Sequence, residues 1–113
     1  MEISEQKTDQ YVIIGIKGRL DTTNYTELEK RLNSLVEDHN NKILVDCSGM
    51  DYISSSGLRI LLMALKRITL LKGKFVLCSL QKNIHEIFEI SGFTSIFEIY
   101  SSREEAVKQI TNN

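Results

Sequence analysis

Residues 42–71 read KILVDCSGMDYISSSGLRILLMALKRITLL, and this stretch is the most informative about the fold. It opens with an apolar run at 42–47 that predicts a buried central strand, because nearly every position in its middle is hydrophobic. Ser48–Asp51 is predicted to turn, since serine, glycine and aspartate favour turns. Leucine and isoleucine then recur at helical spacing, which predicts a helix over 56–71 that Lys72-Gly73 ends.

Three serines and a glycine, Ser54-Ser55-Ser56-Gly57, stand where this helix begins. A hydroxyl at a helix start can accept a hydrogen bond from a free backbone N–H and so cap the helix. The same position can carry a phosphate, because the N-terminal N–H groups tolerate negative charge. The residues alone leave both interpretations open, a cap and a switch.

A helical wheel advancing about 100° per residue separates two faces of the predicted helix. The apolar face, predicted to pack on a sheet, carries Leu58, Leu61, Leu65 and Ile68, with Leu62 at its margin. The opposite face carries Ser55, Arg59, Met63, Lys66 and Leu70. This mixed face predicts either a protein-binding surface or isolated surface hydrophobes, which are common. Arg59 follows Ser55 by one helical turn, so its guanidinium could meet a phosphate there.

The rest of the chain alternates strand-like and helix-like segments. We predict an edge strand at 3–8, a strand at 11–18 ended by Gly18, a helix at 25–38 after the capping-rich residues 21–24, a strand at 74–79, a helix near 84–90, a strand at 95–100 and a helix from Ser101. This β-β-α-β-α-β-α-β-α order predicts an α/β fold. We expect one domain over residues 1–113, with a mixed sheet of four to five strands and about four helices in βαβ repeats.

The composition excludes several classes of function. The 113 residues are 42% hydrophobic and 26% charged, with a formal net charge of −1, so a general nucleic-acid or anionic-membrane surface has no support. No apolar run reaches the roughly 18–20 residues that span a bilayer, and the N-terminus has no signal-peptide core. We therefore expect a cytoplasmic protein without membrane insertion and without a direct nucleic-acid partner.

Metal and redox chemistry are not indicated. Cys47 and Cys78 each end an apolar run, and neither belongs to a CxxC pair, so we expect buried free thiols. His39 and His85 have no ligand-spaced partners. We predict no metal site and no cofactor.

The residues around Ser55 do not favour catalysis by a serine nucleophile. The elbow motif of serine hydrolases has glycine two residues before and two after the nucleophile. Ser55 has Gly57 after it but Ile53 before it. We expect a protein that is not an enzyme, with a hydrolase as the minor alternative.

Residues 43–58, ILVDCSGMDYISSSGL, resemble the signature of the bacterial anti-sigma factor antagonists, which are small STAS-domain proteins. Gly18-Arg19-Leu20-Asp21 is similar to the family's Gly-x-[Leu/Ile]-Asp motif, and element order agrees from near residue 1 to near 110. The resemblance implies a single STAS domain that works by partner switching. In that family the unmodified antagonist binds an anti-sigma factor that is also a serine kinase, which frees the sigma factor. Phosphorylation of the antagonist ends the binding, and a PP2C-type phosphatase restores it.

Aligned on Gly57, the resemblance carries the family's phosphoacceptor onto Ser55. Ser54 stands where the family has an acidic residue, so Ser54 and Ser56 are alternative acceptors. The resemblance and the outward helix face together predict a partner surface made of Asp21, Thr22, Ser54, Ser56, Gly57, Arg59, Met63 and Lys66. We expect the protein to be monomeric alone. The other interpretation is a constitutive STAS adaptor in a larger assembly, such as a stressosome-like scaffold or the cytosolic subunit of a lipid transporter.

Overall fold

The structure, a computed structural model, describes residues 1–112. Strands and helices alternate along this range in the predicted order. The elements are β1 (Glu2–Lys7), β2 (Val12–Leu20), α1 (Tyr25–Glu37), β3 (Lys42–Ile53), α2 (Ser55–Leu70), β4 (Lys74–Cys78), α3 (Lys82–Ile90), a 3-10 turn (Phe93–Ser95), β5 (Glu98–Tyr100) and α4 (Arg103–Thr111). The 3-10 turn occupies part of the segment predicted as the last strand, which is therefore shorter than expected.

The five strands form one mixed sheet in the order β1-β2-β3-β4-β5. β1 is antiparallel to β2, and the other neighbouring strands are parallel. The prediction of an antiparallel edge followed by parallel strands is confirmed, and β3 lies at the centre of the sheet as expected. Because these strands are parallel, the start of every following helix lies near the same edge of the sheet.

The helices divide the core into two layers. α1, α2 and α3 pack on one face of the sheet, and α4 packs on the other. Alternate strand residues face the two sides: Ile14, Val45 and Leu77 belong to the larger core, and Ile13, Leu44 and Val76 to the smaller one. This alternation is the two-residue period of a strand, and it shows why nearly every position in the middle of β3 is apolar.

An ion pair joins α4 to the central strand. The Nε and a terminal nitrogen of Arg103, the first residue of α4, lie 2.9 and 2.8 Å from Oδ2 of Asp46. The other carboxylate oxygen accepts a hydrogen bond from the Ser48 N–H at 2.9 Å. Ser102 caps α4 by accepting a hydrogen bond from the Glu105 N–H at 3.1 Å, as its position at the predicted helix start suggests.

β2 and β3 are both longer than predicted. Ser48–Asp51, predicted to turn, continues β3, and β2 runs past Gly18, predicted to end it, as far as Leu20. The two extensions pair with each other through a register shift next to Gly18, whose φ of +94° lies in the left-handed region that favours glycine. In this pairing, backbone N–H and carbonyl groups of the two extensions bond to each other, whereas in the predicted turn they would face solvent. As a result, β2 and β3 end side by side at Leu20 and Ile53.

α2 begins at Ser55, one residue before the predicted start, and its buried face is rotated from the predicted one. The buried residues are Gly57, Ile60, Leu61, Ala64 and Ile68. Burial of Leu61 and Ile68 is confirmed, whereas Leu58 and Leu65 are only half-buried. The rotation follows because α2 packs against α1 as well as the sheet, and its small residues Gly57 and Ala64 allow close approach.

Candidate functional site

Ser54 is the N-cap of α2. Its hydroxyl accepts a hydrogen bond from the Gly57 N–H at 3.2 Å, and its backbone is extended, with φ −91° and ψ 171°. Its own N–H donates to the Leu20 carbonyl at 2.9 Å. The cap therefore ties the start of α2 to the end of β2.

The three serines differ in their exposure. Ser55, the first residue of α2, is exposed, whereas Ser54 and Ser56 are half-buried. The difference follows from the geometry, since Ser54 turns its hydroxyl back to the helix while Ser55 lies on the outward face. Among the three hydroxyls, that of Ser55 is the most open to an approaching molecule.

Gly57 is buried against the ends of β2 and β3. A Cβ at this position would lie 2.8 Å from Cγ of Leu20 and 3.0 Å from Cγ1 of Ile53. Gly57 was predicted to contact a partner, but it faces the protein interior. Its role is to let the first turn of α2 approach the sheet closely.

The loop after β2 is organised around Asp21. Its Oδ1 accepts hydrogen bonds from the Thr23 hydroxyl at 2.6 Å and the Thr23 N–H at 2.9 Å, and together they lower the pKa of Asp21 below its ordinary value. Asn24 was predicted to help cap α1, but its side chain instead closes the loop, accepting from the Asp21 N–H and donating to the Arg19 carbonyl. Thr22 is exposed at the tip of this loop. The loop thus presents an ionised carboxylate at the same edge of the sheet as the start of α2.

Arg19 and Tyr52 connect this loop to β3. They are paired across β2 and β3, and the guanidinium carbon lies 3.9 Å from the centre of the Tyr52 ring. Arg19 Nε also lies 3.4 Å from Oδ2 of Asp21. Sequence reasoning did not assign a role to this pair. The available signal was the alternation of residues along the extensions of β2 and β3. It was missed because Gly18 was predicted to end β2 and Ser48–Asp51 was predicted to turn.

The predicted outward face of α2 is exposed along its whole length. Ser55, Arg59, Met63, Lys66 and Leu70 are all exposed, with Met63 49% and Leu70 83% accessible. The charged residues of α2 are Arg59, Lys66 and Arg67, so the helix carries cations and no carboxylate. This face combines positive charge with apolar side chains.

The other candidate chemical groups are dispersed. Within residues 1–112, no group of three or more His, Cys, Asp and Glu residues could hold a metal ion. His85 pairs with Glu89 at 3.0 Å, and His39 is exposed after α1. Cys47 and Cys78 are buried free thiols, as predicted, and burial raises the pKa of both. In the same range, no helix has the length and apolar character to cross a bilayer.

Comparison with known proteins agrees with this architecture. The model of the STAS domain matches residues 2–106. BtrV of Bordetella bronchiseptica, provisionally named an anti-sigma factor antagonist, is 38% identical over 106 residues, which cover 94% of this chain and 91% of BtrV.

Two solved structures show the same fold. A Thermotoga maritima protein, provisionally described as an anti-sigma factor antagonist, superposes with a TM-score of 0.92 at 22% identity, covering 97% of this chain and 95% of its own. The Bacillus cell fate determinant SpoIIAA in its phosphorylated form superposes with a TM-score of 0.78 at 17% identity, covering 96% of this chain and 99% of its own. Because the family model and the 38% identical relative both span nearly the whole sequence, this protein belongs to the STAS domain family.

Proposed function

We propose that this protein is an anti-sigma factor antagonist whose binding to an anti-sigma factor is switched by phosphorylation of Ser55. The observation that carries the proposal is the position of Ser55, exposed in the first turn of α2 directly after the capping residue. The name of BtrV supports the antagonist role, and the phosphorylated form of SpoIIAA supports the kind of switch. In this proposal the protein acts in the cytoplasm by binding and has no catalytic activity of its own.

The different exposures of the serines favour Ser55 over the two alternative acceptors. The Ser54 hydroxyl accepts the Gly57 N–H and is turned toward the backbone of α2, so it is less open to a kinase than the hydroxyl of Ser55. Ser56 is half-buried. Serine and aspartate are both good N-caps, so Ser54 can keep the capping role of the family's acidic residue without its charge.

The partner in this proposal is an anti-sigma factor that is also a serine kinase. It would transfer the γ-phosphoryl group of ATP to the Ser55 oxygen, which loses its proton, and ADP leaves. A PP2C-type phosphatase would hydrolyse the phosphoserine with water, releasing inorganic phosphate and regenerating the hydroxyl.

The start of α2 can hold the phosphate without unfolding. The exposed N–H groups of the first turn favour an anion, and Arg59 lies one helical turn further along the same exposed face. The phosphate adds close to two negative charges at pH 7. The phosphorylated protein therefore stays folded while the charge of its binding face changes sign locally.

The proposed contact surface has two parts that lie at the same edge of the sheet. The first is the loop with Asp21 and Thr22, which offers a carboxylate. The second is the outward face of α2 with Arg59, Met63 and Lys66, which offers cations and an apolar side chain. A phosphate on Ser55 would stand at the start of the second part, where a bound partner must exclude water. Release then follows from repulsion and from the cost of desolvating the phosphate.

Binding to the purified anti-sigma factor kinase of the same organism tests the proposal. We expect the unmodified protein to bind and Ser55→Asp to bind at least about tenfold more weakly, since a charge placed in an interface costs more than 1 kcal/mol. Ser91→Asp is the matched control, because Ser91 is exposed at the C-terminal end of α3, at the opposite edge of the sheet. Equal affinity of Ser55→Asp and the unmodified protein would contradict the switch. Binding that persists through phosphorylation would favour a constitutive adaptor.

A further inference from the structure

A shallow apolar groove lies at the C-terminal half of α2, away from the serines. It encloses about 540 Å³, and its lining is formed by Leu62, Leu65, Lys66, Thr69, Leu70 and Ile96. Leu70 and Ile96 are 83% and 49% accessible. The Thr69 hydroxyl donates to the Leu65 carbonyl at 2.7 Å, so its one proton is used within the helix.

The groove exists because the two sides of α2 are covered unequally. On one side Ile60 and Ala64 pack against α1 and are buried. On the other side, in the part of the chain that the structure describes, Ile96 is the one residue outside α2 that lines the groove, and Leu62 and Leu65 stay half-buried. Leu65 was predicted to be a core residue, and within residues 1–112 no element covers it fully.

The charge around the groove indicates what can cover it. Lys66 is the charged residue that lines it, and α2 carries no acidic residue, whereas Arg67 lies on the α1 side of the helix and donates to Asn33 at 2.6 Å. Lys66 belongs both to the groove and to the outward face that contains Arg59. A segment that fits here needs apolar side chains that enter the groove and carboxylates that lie beside the lysine at its edge.

We propose that this groove receives an amphipathic helix of the anti-sigma factor, with apolar residues at helical spacing and Asp or Glu beside them. The inference rests on the proposed function, since it names the part of the partner that α2 binds. An apolar helix laid in a groove is a recurrent mode of recognition. The carboxylates of this partner helix would lie beside Lys66 at the edge of the groove.

Matched variants test the groove against the purified anti-sigma factor kinase, with the dissociation constant measured by calorimetry. Leu70→Asp and Ile96→Asp should each weaken binding about tenfold or more, as loss of an apolar contact in an interface does. Ile90→Asp is the control and should bind within about twofold of the unmodified protein, because Ile90 is 88% accessible but does not line the groove. Circular dichroism checks that each variant is folded.

The electrostatic part has its own pair of variants. Lys66→Glu should weaken binding about tenfold, since it places a carboxylate opposite the acidic residues of the partner helix. Lys108→Glu, on the exposed side of α4 in the opposite layer, should not change the affinity. Affinity should also fall as salt rises.

The outcomes separate the groove from the function on which it rests. If the unmodified protein binds the kinase and Ser55→Asp does not, but the groove variants bind normally, the groove proposal alone is wrong. If the unmodified protein fails to bind an active kinase, both proposals are wrong. If the groove variants lose binding only to phosphatidylglycerol vesicles, the groove is a lipid-binding surface and the helix proposal is overturned.

Discussion

The Ser54 hydroxyl accepts the Gly57 N–H at 3.2 Å, so the residue before the proposed phosphoacceptor is the cap of α2. One serine stabilises the helix start while the next one stays exposed. The two interpretations of the serine run, a cap and a switch, are thereby assigned to different residues.

The cap predicts the stability of two Ser54 variants. Ser54→Ala should lower the free energy of unfolding by about 1 kcal/mol, because it leaves the Gly57 N–H without its partner. Ser54→Asp should unfold close to the unmodified protein, since aspartate caps equally well. Urea unfolding followed by circular dichroism measures both. An alanine variant as stable as the unmodified protein would show that the hydrogen bond contributes nothing.

The burial of Gly57 predicts whether alanine at this position stabilises or destabilises the protein. In an open helix, alanine is favoured over glycine by about 1 kcal/mol. At residue 57 the added Cβ would meet Leu20 at 2.8 Å and Ile53 at 3.0 Å. We expect the cost of this clash to exceed the gain in helix propensity, so Gly57→Ala should destabilise the protein by about 1–3 kcal/mol. Ser55→Ala, on the exposed side of the same turn, is the control. A stabilised Gly57→Ala protein would mean that α2 lies further from the strand ends.

The Asp46–Arg103 pair predicts how stability depends on pH. Burial disfavours the charged carboxylate, but the Ser48 N–H and the Arg103 guanidinium outweigh it and hold the pKa of Asp46 below its ordinary value. A depressed pKa in the folded state contributes stability that is fully present above the unfolded pKa of about 4. This contribution is lost as the pH falls from that value through the folded pKa.

Asp46→Asn should remove that part of the acid sensitivity. Urea unfolding of the variant and the unmodified protein, compared between about pH 2.5 and 7, should give curves that converge toward low pH. Glu86→Gln is the control, since Glu86 is an exposed carboxylate of α3 outside this ion pair. A constant difference between the two proteins at every pH would refute the contribution of the ionised carboxylate.

The two cysteines should be unreactive in the folded protein. Both are buried, and burial raises the pKa of each thiol, so little thiolate forms at neutral pH. A thiol reagent such as DTNB should titrate neither cysteine at pH 7.5 without denaturant and both in guanidinium chloride. Rapid reaction of a thiol in the folded protein would show that it reaches solvent.

Much of the fold was predictable because its signals are local. Apolar periodicity located the four helices and the strands, and the alternation of strand and helix predicted a mixed sheet. Capping residues placed the starts of α2 and α4 within one and two residues of their observed positions, which follow the N-caps Ser54 and Ser102. These features depend on neighbours in the chain, which a sequence displays.

The predictions that were wrong concern residues whose structure depends on partners far away in the sequence. Ser48–Asp51 has the composition of a turn, but it pairs with the extension of β2 and becomes a strand. That same pairing brings Arg19 over Tyr52, which no local pattern could indicate. Leu65 is apolar at core spacing, yet it stays half-buried beside a groove in which, within residues 1–112, Ile96 is the one lining residue outside α2.

The candidate site was predictable in part for the same reason. The exposure of Ser55, Arg59, Met63 and Lys66 follows from helical spacing and is confirmed. Gly57 was assigned to the partner surface because it belongs to the serine motif, but its neighbours across the sheet bury it. A motif identifies which residues act together without distinguishing those that face outward from those that support them.

Mass mapping of the protein after incubation with the active anti-sigma factor kinase and ATP identifies the residue that carries the phosphate. We expect one phosphate, on Ser55, and none on Ser55→Ala, with Ser54→Ala and Ser56→Ala still modified. A phosphate on Ser54 or Ser56, or no phosphate beside a kinase shown to be active, would contradict the assignment of the switch to the exposed serine of α2.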